Sequence, residues 1–185
     1  MRLFVAVELP PEHKAKLVAL RRDIPGATWV KDPALHLTLR FLGDQIDAIR
    51  LTPIRTALGA IKAAPFALTL RGTGRFPPNP KRPARVLWVG IAEQSALMGL
   101  QMAVEQALAE VGFEPEERPF SPHITLARFK GDGPNSRLDH FLEQHGDFSA
   151  EPFTVNAFYL VASTLKPDGP VYRHEGSFPL REPSG

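Results

Sequence analysis

The chain has 185 residues, 43% apolar and 23% charged, which is typical of a folded globular protein and excludes disorder as its default state. It contains no cysteine, which excludes disulfide bonds, thiolate metal ligands and a cysteine nucleophile. The net charge of +2 neither requires nor excludes nucleic-acid binding, and no apolar run is long enough to span a membrane. The apolar stretch before Glu8 is too short for a signal peptide, so we expect a cytoplasmic protein. We also expect a monomer that does not bind membranes.

Alternating apolar and polar residues predict strands, and apolar spacings of three and four predict helices. In chain order, the predicted elements are a strand at 3–7, a helix at 12–22, strands at 28–30 and 34–42, a helix at 46–61, strands at 65–72 and 84–89, a helix at 93–111, a strand at 121–129, a helix at 136–144, and strands at 152–163 and 171–178. The helix at 93–111 has the clearest pattern, and Gly112 is suited to end it.

The second half of the chain repeats the order of the first. The sequence His-Leu-Thr-Leu at 36–39 matches His-Ile-Thr-Leu at 123–126, at an offset of 87. Pro-Phe pairs at 65–66 and 152–153 match at the same offset. We therefore predict an α+β fold with two pseudo-symmetric lobes, in which each lobe is an antiparallel sheet with helices on its outer side. We expect the active-site cleft to lie between the lobes and 1–185 to form a single bilobal domain with an internal duplication.

Each motif copy places one imidazole and one hydroxyl on the same face of a strand, because side chains at i and i+2 point the same way. If the two faces meet, one cleft holds His36, Thr38, His123 and Thr125. Histidines can serve as general acid and general base near neutral pH, and threonine hydroxyls can donate to phosphate oxygens. This set suits phosphoryl transfer without a metal or cofactor.

The segments HLTLRFLG at 36–43 and HITLARF at 123–129 resemble the paired His-x-Thr motifs of the two-histidine phosphoesterase superfamily. Length, spacing and the segment 163–172 are most similar to its RNA 2′,3′-cyclic phosphodiesterases, once named 2′-5′ RNA ligases. The resemblance implies hydrolysis of a terminal RNA 2′,3′-cyclic phosphate to a 2′-phosphate. The implied partner is RNA with such an end, for example a tRNA fragment or a nucleotide.

The same resemblance implies a role for each motif residue. His36 would donate a proton to the leaving 3′ oxygen, and His123 would accept a proton from the attacking water. Thr38 and Thr125 would hold the phosphate.

An arginine in the second motif, here Arg128, is associated with the substrate site in the family, and we expect it to bind phosphate. Strict alternation places Arg128 opposite His123 and places Arg40 on the catalytic face instead. The second copy has one more residue between Thr125 and Gly131 than the first copy has between Thr38 and Gly43. A β-bulge at this insertion could turn Arg128 towards the site.

A basic segment at 71–85 contains five cations and no acidic residue: Arg71, Arg75, Lys81, Arg82 and Arg85. It could follow an RNA backbone, with Phe76 stacking on a base, or it could be a solvated surface loop. Both interpretations remain open at the level of sequence.

Three alternatives to hydrolysis deserve comparison. An RNA-end binding module without turnover would be expected to lack a motif residue, and both copies are intact. Joining of 2′-5′ ends is the reverse of the same chemistry. A metallohydrolase would use His36, His123 and a carboxylate, but the sequence has no HxH or HExxH motif. Insensitivity to a chelator separates the first hypothesis from the last.

Overall fold

A computed structural model describes residues 1–183 of the chain and contains ten strands and four α-helices in that range. In chain order these are β1 (Arg2–Glu8), α1 (Pro11–Val18), β2 (Ala27–Trp29), β3 (His36–Gly43), α2 (Leu51–Gly59), β4 (Phe66–Leu68), β5 (Leu70–Phe76), β6 (Val86–Ile91), α3 (Ser95–Glu110), β7 (His123–Phe129), α4 (Ser136–His145), β8 (Phe153–Val155), β9 (Ala157–Lys166) and β10 (Gly169–Pro179). Short 3-10 turns at Asp32–Ala34 and Ala48–Arg50 precede β3 and α2.

Two four-stranded antiparallel sheets form the two lobes, which confirms the predicted α+β class. The first sheet has the strand order β10-β9-β1-β3, and the second has the order β2-β7-β6-β5. A separate two-stranded sheet joins β4 to β8. The predicted strands at 65–72 and 152–163 are each two shorter strands, because Thr69 and Asn156 interrupt them.

The lobes are not successive halves of the chain. The first sheet combines β1 and β3 with β9 and β10 from the other end of the sequence, and the second combines β2 with β5, β6 and β7. The chain therefore passes between the two sheets four times. Neither repeat builds a lobe from its own strands alone.

The β4–β8 pair lies on the pseudo-two-fold axis. Phe66 pairs with Val155, and Leu68 pairs with Phe153. Adding the sequence offset of 87 to Phe66 and Leu68 gives 153 and 155, so one pairing maps onto the other. Such a self-complementary contact is the mark of a two-fold relation, here between two parts of one chain.

One hydrophobic core extends across both lobes and is built from the inner faces of the sheets and helices. The helices contribute Leu17, Ile54, Leu58, Leu97, Leu100, Val104, Leu108, Leu138 and Phe141. Leu37 and Leu39 of β3, and Ile124 and Leu126 of β7, face this core and are almost completely buried. The opposite faces of these strands are turned away from the helices. Because the core is continuous, we propose that the chain is one bilobal domain.

The helix boundaries follow from local sequence. The side chain of Gln94 caps α3 at its start, and Gly112 follows its end with a φ of +93°. The first helix stops at Val18, earlier than predicted. Within residues 1–183, none of the helices has the length and apolar character needed to cross a membrane.

Candidate active site

The two motif copies line one cavity of about 580 Å³ between the sheets. His36 and Thr38 reach it from β3, and His123 and Thr125 reach it from β7. The structure thus brings together the four side chains that the sequence singled out. The other lining residues include Arg2, Phe4, Trp29, Lys31, Phe41, Arg128 and Tyr172.

Strand β3 contains a β-bulge at Leu39, which exchanges the faces of the two residues that follow it, Arg40 and Phe41. Thr38 pairs with Ala6 and Arg40 pairs with Val5, so Leu39 is left without a partner in the ladder. As a result Phe41, not Arg40, lines the cavity. The expectation that Arg40 lies on the catalytic face is therefore wrong.

Strand β7 has the equivalent bulge at Leu126. Thr125 pairs with Trp88, Ala127 pairs with Leu87, and Arg128 lines the cavity as expected. The inserted residue does not cause this bulge, because β3 has a bulge at the same motif position without the insertion. Phe41 and Arg128 are themselves 87 positions apart, so the insertion lies after Arg128.

Arg40 has a structural role on the far side of β3. Its guanidinium forms an ion pair with Glu105 of α3, and the two side chains are only 10% and 19% exposed. Its Nη2 also donates to the carbonyl oxygen of Glu114, at 2.7 Å. These contacts tie β3 to α3 and to the chain beyond that helix.

The orientation of His123 is fixed by the backbone. Its Nδ1 lies 2.8 Å from the carbonyl oxygen of Ser121. A carbonyl can only accept, so Nδ1 carries a proton, and in the neutral ring Nε2 is the atom that can take one up. The ring of Phe76 contacts His123 edge to face, with centroids 4.9 Å apart.

His36 is held in an aromatic setting. Its ring stacks on Phe4, with centroids 4.8 Å apart, and meets the ring of Tyr172 edge-on at 5.8 Å. Burial lowers the pKa of His36 to about 4, with smaller contributions from the positive charges of Lys14 and Arg2. His36 is therefore neutral at pH 7.

Sequence reasoning missed Arg2 and Tyr172. Arg2 Nη1 donates to the hydroxyl of Ser163 at 2.9 Å, and its guanidinium lies over Phe41, 4.9 Å from the ring centroid. Burial raises the pKa of Tyr172, while Arg2 and Arg128 act to lower it. No local signal marks either residue, because β1 and β10 reach the cavity through a sheet that joins distant parts of the chain.

The cavity therefore receives a guanidinium from each sheet. Arg2 belongs to the first sheet and Arg128 to the second, and both line the space that holds the histidines and threonines. Among residues 1–183, the hydroxyls of Thr38 and Thr125 donate to no protein acceptor. Two cations and two free hydroxyl donors suit a phosphate group.

The described part of the chain has no cluster of three or more His, Cys, Asp or Glu side chains placed to hold a metal ion.

Residues 9–166 match the family model of the 2′-5′ RNA ligase superfamily. The chain belongs to this superfamily.

Relatives in the 2′-5′ RNA ligase superfamily resemble the chain over nearly its whole length. An RNA 2′,3′-cyclic phosphodiesterase of Thermus thermophilus is 41% identical, over 100% of this chain and 93% of that protein. One of Archaeoglobus fulgidus is 33% identical, over 94% and 97%. Escherichia coli LigT, in a crystal structure with 3′-AMP, has a TM-score of 0.77 and 28% identity, with 98% of each chain covered.

In this member of the superfamily, the basic segment is partly a structural element. Arg75 Nε donates to the carbonyl oxygen of Pro77 at 2.9 Å, and Arg85 donates to that of Gly131 at 2.7 Å. Lys81 and Arg82 are exposed, and neither side chain forms an ion pair with another residue in 1–183. With Arg71, which is also exposed, they remain candidates for contact with an RNA backbone.

Proposed function

We propose that the protein hydrolyses RNA 2′,3′-cyclic phosphate termini to 2′-phosphates, with His36 and His123 as general acid and base and without a metal ion. The observation that carries this proposal is the meeting of two His-x-Thr pairs and Arg128 in one cavity. The names of the curated relatives support a cyclic phosphodiesterase. The LigT complex with 3′-AMP supports a nucleotide ligand.

In this proposal His123 is the proton acceptor. Its Nδ1 hydrogen bond to a carbonyl leaves Nε2 as the basic atom. Water attacks the phosphorus while Nε2 takes up one of its protons, so that the new P–O bond forms with hydroxide character. Support for this role comes from the tautomer that the backbone selects.

His36 is the proton donor to the leaving O3′. The P–O3′ bond breaks, O3′ takes the proton of His36, and the products are a 3′-hydroxyl and a 2′-phosphate. The low pKa of His36 opposes this role. The negative charge of the bound cyclic phosphate acts in the other direction, because a nearby anion favours the charged imidazolium. Substrate binding would therefore favour the protonated form of His36, which is the form that can act as the general acid.

Thr38, Thr125 and Arg128 hold the phosphate. The threonine hydroxyls line the cavity beside their histidines, and Arg128 enters through the bulge at Leu126. Donors aimed at the non-bridging oxygens strengthen as charge builds up at phosphorus, so they stabilise the transition state more than the ground state.

The test is incubation with an oligonucleotide that ends in a 2′,3′-cyclic phosphate, followed by identification of the phosphate position. We expect a 2′-phosphate, undiminished turnover with a chelator, and a loss of about a hundred- to ten-thousand-fold in His36→Ala and His123→Ala. His140→Ala, at an exposed position of α4, is the matched control. A 3′-phosphate product, or activity that a chelator abolishes and zinc restores, would contradict the proposal.

A further inference from the structure

A second cavity of about 220 Å³ adjoins the first on the open face of the first sheet. We call it the outer trough and define it by Ala6, Glu8, Lys14, His36, Val161, Tyr172 and His174. His36, Tyr172 and Pro33 line both cavities, so the two aromatic rings and the proline form the wall between them. The proposed function uses only the first cavity.

The floor of the outer trough is apolar and consists of small side chains. Ala6 of β1 and Val161 of β9 face it and are 1% and 5% exposed. Their neighbours on the same face are Phe4, Tyr159 and Tyr172. Small residues surrounded by aromatic ones leave a recess whose walls are aromatic rings, and such a surface is suited to a flat aromatic group.

The far wall of the outer trough is rigid. The ring of His174 stacks on Tyr159, with centroids 4.4 Å apart and planes 19° apart, and its Nε2 contacts the carboxylate of Glu8. An exposed imidazole fixed in this way loses little freedom when a ligand packs beside it. Such a wall is already in place before binding.

A positive charge lines the outer trough on the side of α1. Lys14 of α1 lines the outer trough, and its charge contributes to lowering the pKa of His36. Its Nζ is 3.5 Å from the carboxylate of Asp32, and its side chain is 19% exposed. A cation near His36 and beside an aromatic recess is placed for a phosphodiester between two nucleotides.

We propose that the outer trough binds the base of the nucleotide that precedes the cyclic-phosphate nucleotide, with the linking phosphodiester beside Lys14. The inference rests on the proposed function, since the first cavity must hold the terminal nucleotide. The neighbouring nucleotide is the expected occupant because the outer trough is continuous with the active site. A group in the outer trough contacts the rings of His36 and Tyr172, which a group in the active site also contacts. In single-stranded RNA, consecutive bases can be splayed apart and packed against protein rings.

Three ligands separate the contributions of base and phosphate: a cyclic mononucleotide, a dinucleotide with a terminal 2′,3′-cyclic phosphate, and the same dinucleotide with an abasic 5′ residue. The kcat/KM of the wild-type protein should be about 5- to 150-fold higher for the dinucleotide than for the mononucleotide, the range expected for stacking one base. The abasic dinucleotide should lose most of that gain.

Two variants test the outer trough from different sides. Val161→Phe fills the recess, and His174→Ala removes its far wall. In both variants, the ratio of kcat/KM for the dinucleotide to kcat/KM for the mononucleotide should fall close to the ratio that the wild-type protein gives with the abasic dinucleotide. His140→Ala should leave the ratio unchanged. Because the mononucleotide does not reach the outer trough, it is the internal reference for folding and chemistry in each variant.

Calorimetric binding of 2′-phosphate products of one and two nucleotides gives a readout that does not need turnover. If the protein hydrolyses none of the substrates but binds the dinucleotide product more tightly, and Val161→Phe removes the difference, the proposed function fails and the second base site stands. If wild-type protein shows no gain from the second base in either measurement, the base site is wrong. An equal fall in kcat/KM for all three ligands in both variants would also overturn the base site, because Val161 and His174 would then act only through His36.

Discussion

The charge state of His36 offers the most direct test of how the site works. Lowering a histidine pKa from 6.5 to about 4 disfavours the imidazolium by about 3 kcal/mol. One negative charge about 4 Å away contributes roughly 4 kcal/mol in the opposite direction at an effective dielectric constant near 20. The two effects are of similar size. We therefore expect a bound anion to return the pKa of His36 to the neutral range.

The assay is a proton NMR titration of the histidine Cε1–H resonances with and without saturating sulfate, which does not change its own charge over this pH range. The His36 resonance should titrate near pH 4 in the free protein and above pH 6 in the complex. His140, exposed on α4, serves as the reference that should not respond to sulfate. If sulfate perturbs the cavity resonances and the pKa of His36 does not move, the acid role assigned to His36 loses its physical basis.

The same pKa predicts a pH dependence of stability. Between about pH 6.5 and pH 4, the unfolded chain binds a proton at His36 that the folded chain does not. The free energy of unfolding therefore falls on acidification, by up to about 3 kcal/mol from this group. Denaturant unfolding of wild type and His36→Gln at several pH values isolates the contribution, because the variant should lose less stability over that interval.

Four further predictions concern side chains inside and outside the cavity. Thr125→Val, which keeps the branched shape, should lower kcat by about a hundredfold with little change in KM for the mononucleotide, and a change in KM alone would contradict the proposed transition-state contact. Arg40→Met should lower the free energy of unfolding by about 2–4 kcal/mol, because it leaves a partly buried carboxylate unpaired. Arg128→Met should instead reduce kcat/KM with near-normal stability, and the reverse pattern would mean that the bulges were misassigned. Neutralising Lys81 and Arg82 should raise KM for long RNA and weaken its salt dependence while sparing a cyclic mononucleotide, as steady-state kinetics at several salt concentrations would reveal.

The repeated motifs made the fold class and the four central side chains accessible from sequence. A period of two places His36 with Thr38 and His123 with Thr125 regardless of how the strands pair. That rule fails after the threonines, because a bulge depends on which strand lies alongside. Leu39 and Leu126 have nothing in their own chemistry that marks them as unpaired, so Arg40 was assigned to the wrong face.

Long-range pairing was equally out of reach. Strand β1 takes its partners from β3 and from β9, which lies far along the chain. Local patterns carry no information about such partners, and Arg2, Tyr172 and His174 therefore gave no sign that they would meet His36. The outer trough exists only because these distant strands share a face.

The four crossings between the sheets restrict how the cleft can move. A hinged enzyme opens by bending one or two connections, whereas here four segments and the β4–β8 pair would have to bend together. Large opening motions of the lobes are therefore suppressed, and the separation of the two histidines is set by the backbone. Ligand exchange must proceed through the mouth of a cleft of nearly constant width, with adjustment left to side chains. Cutting the chain between the repeats would likewise not release two independent lobes, since each fragment would carry strands that belong to both sheets.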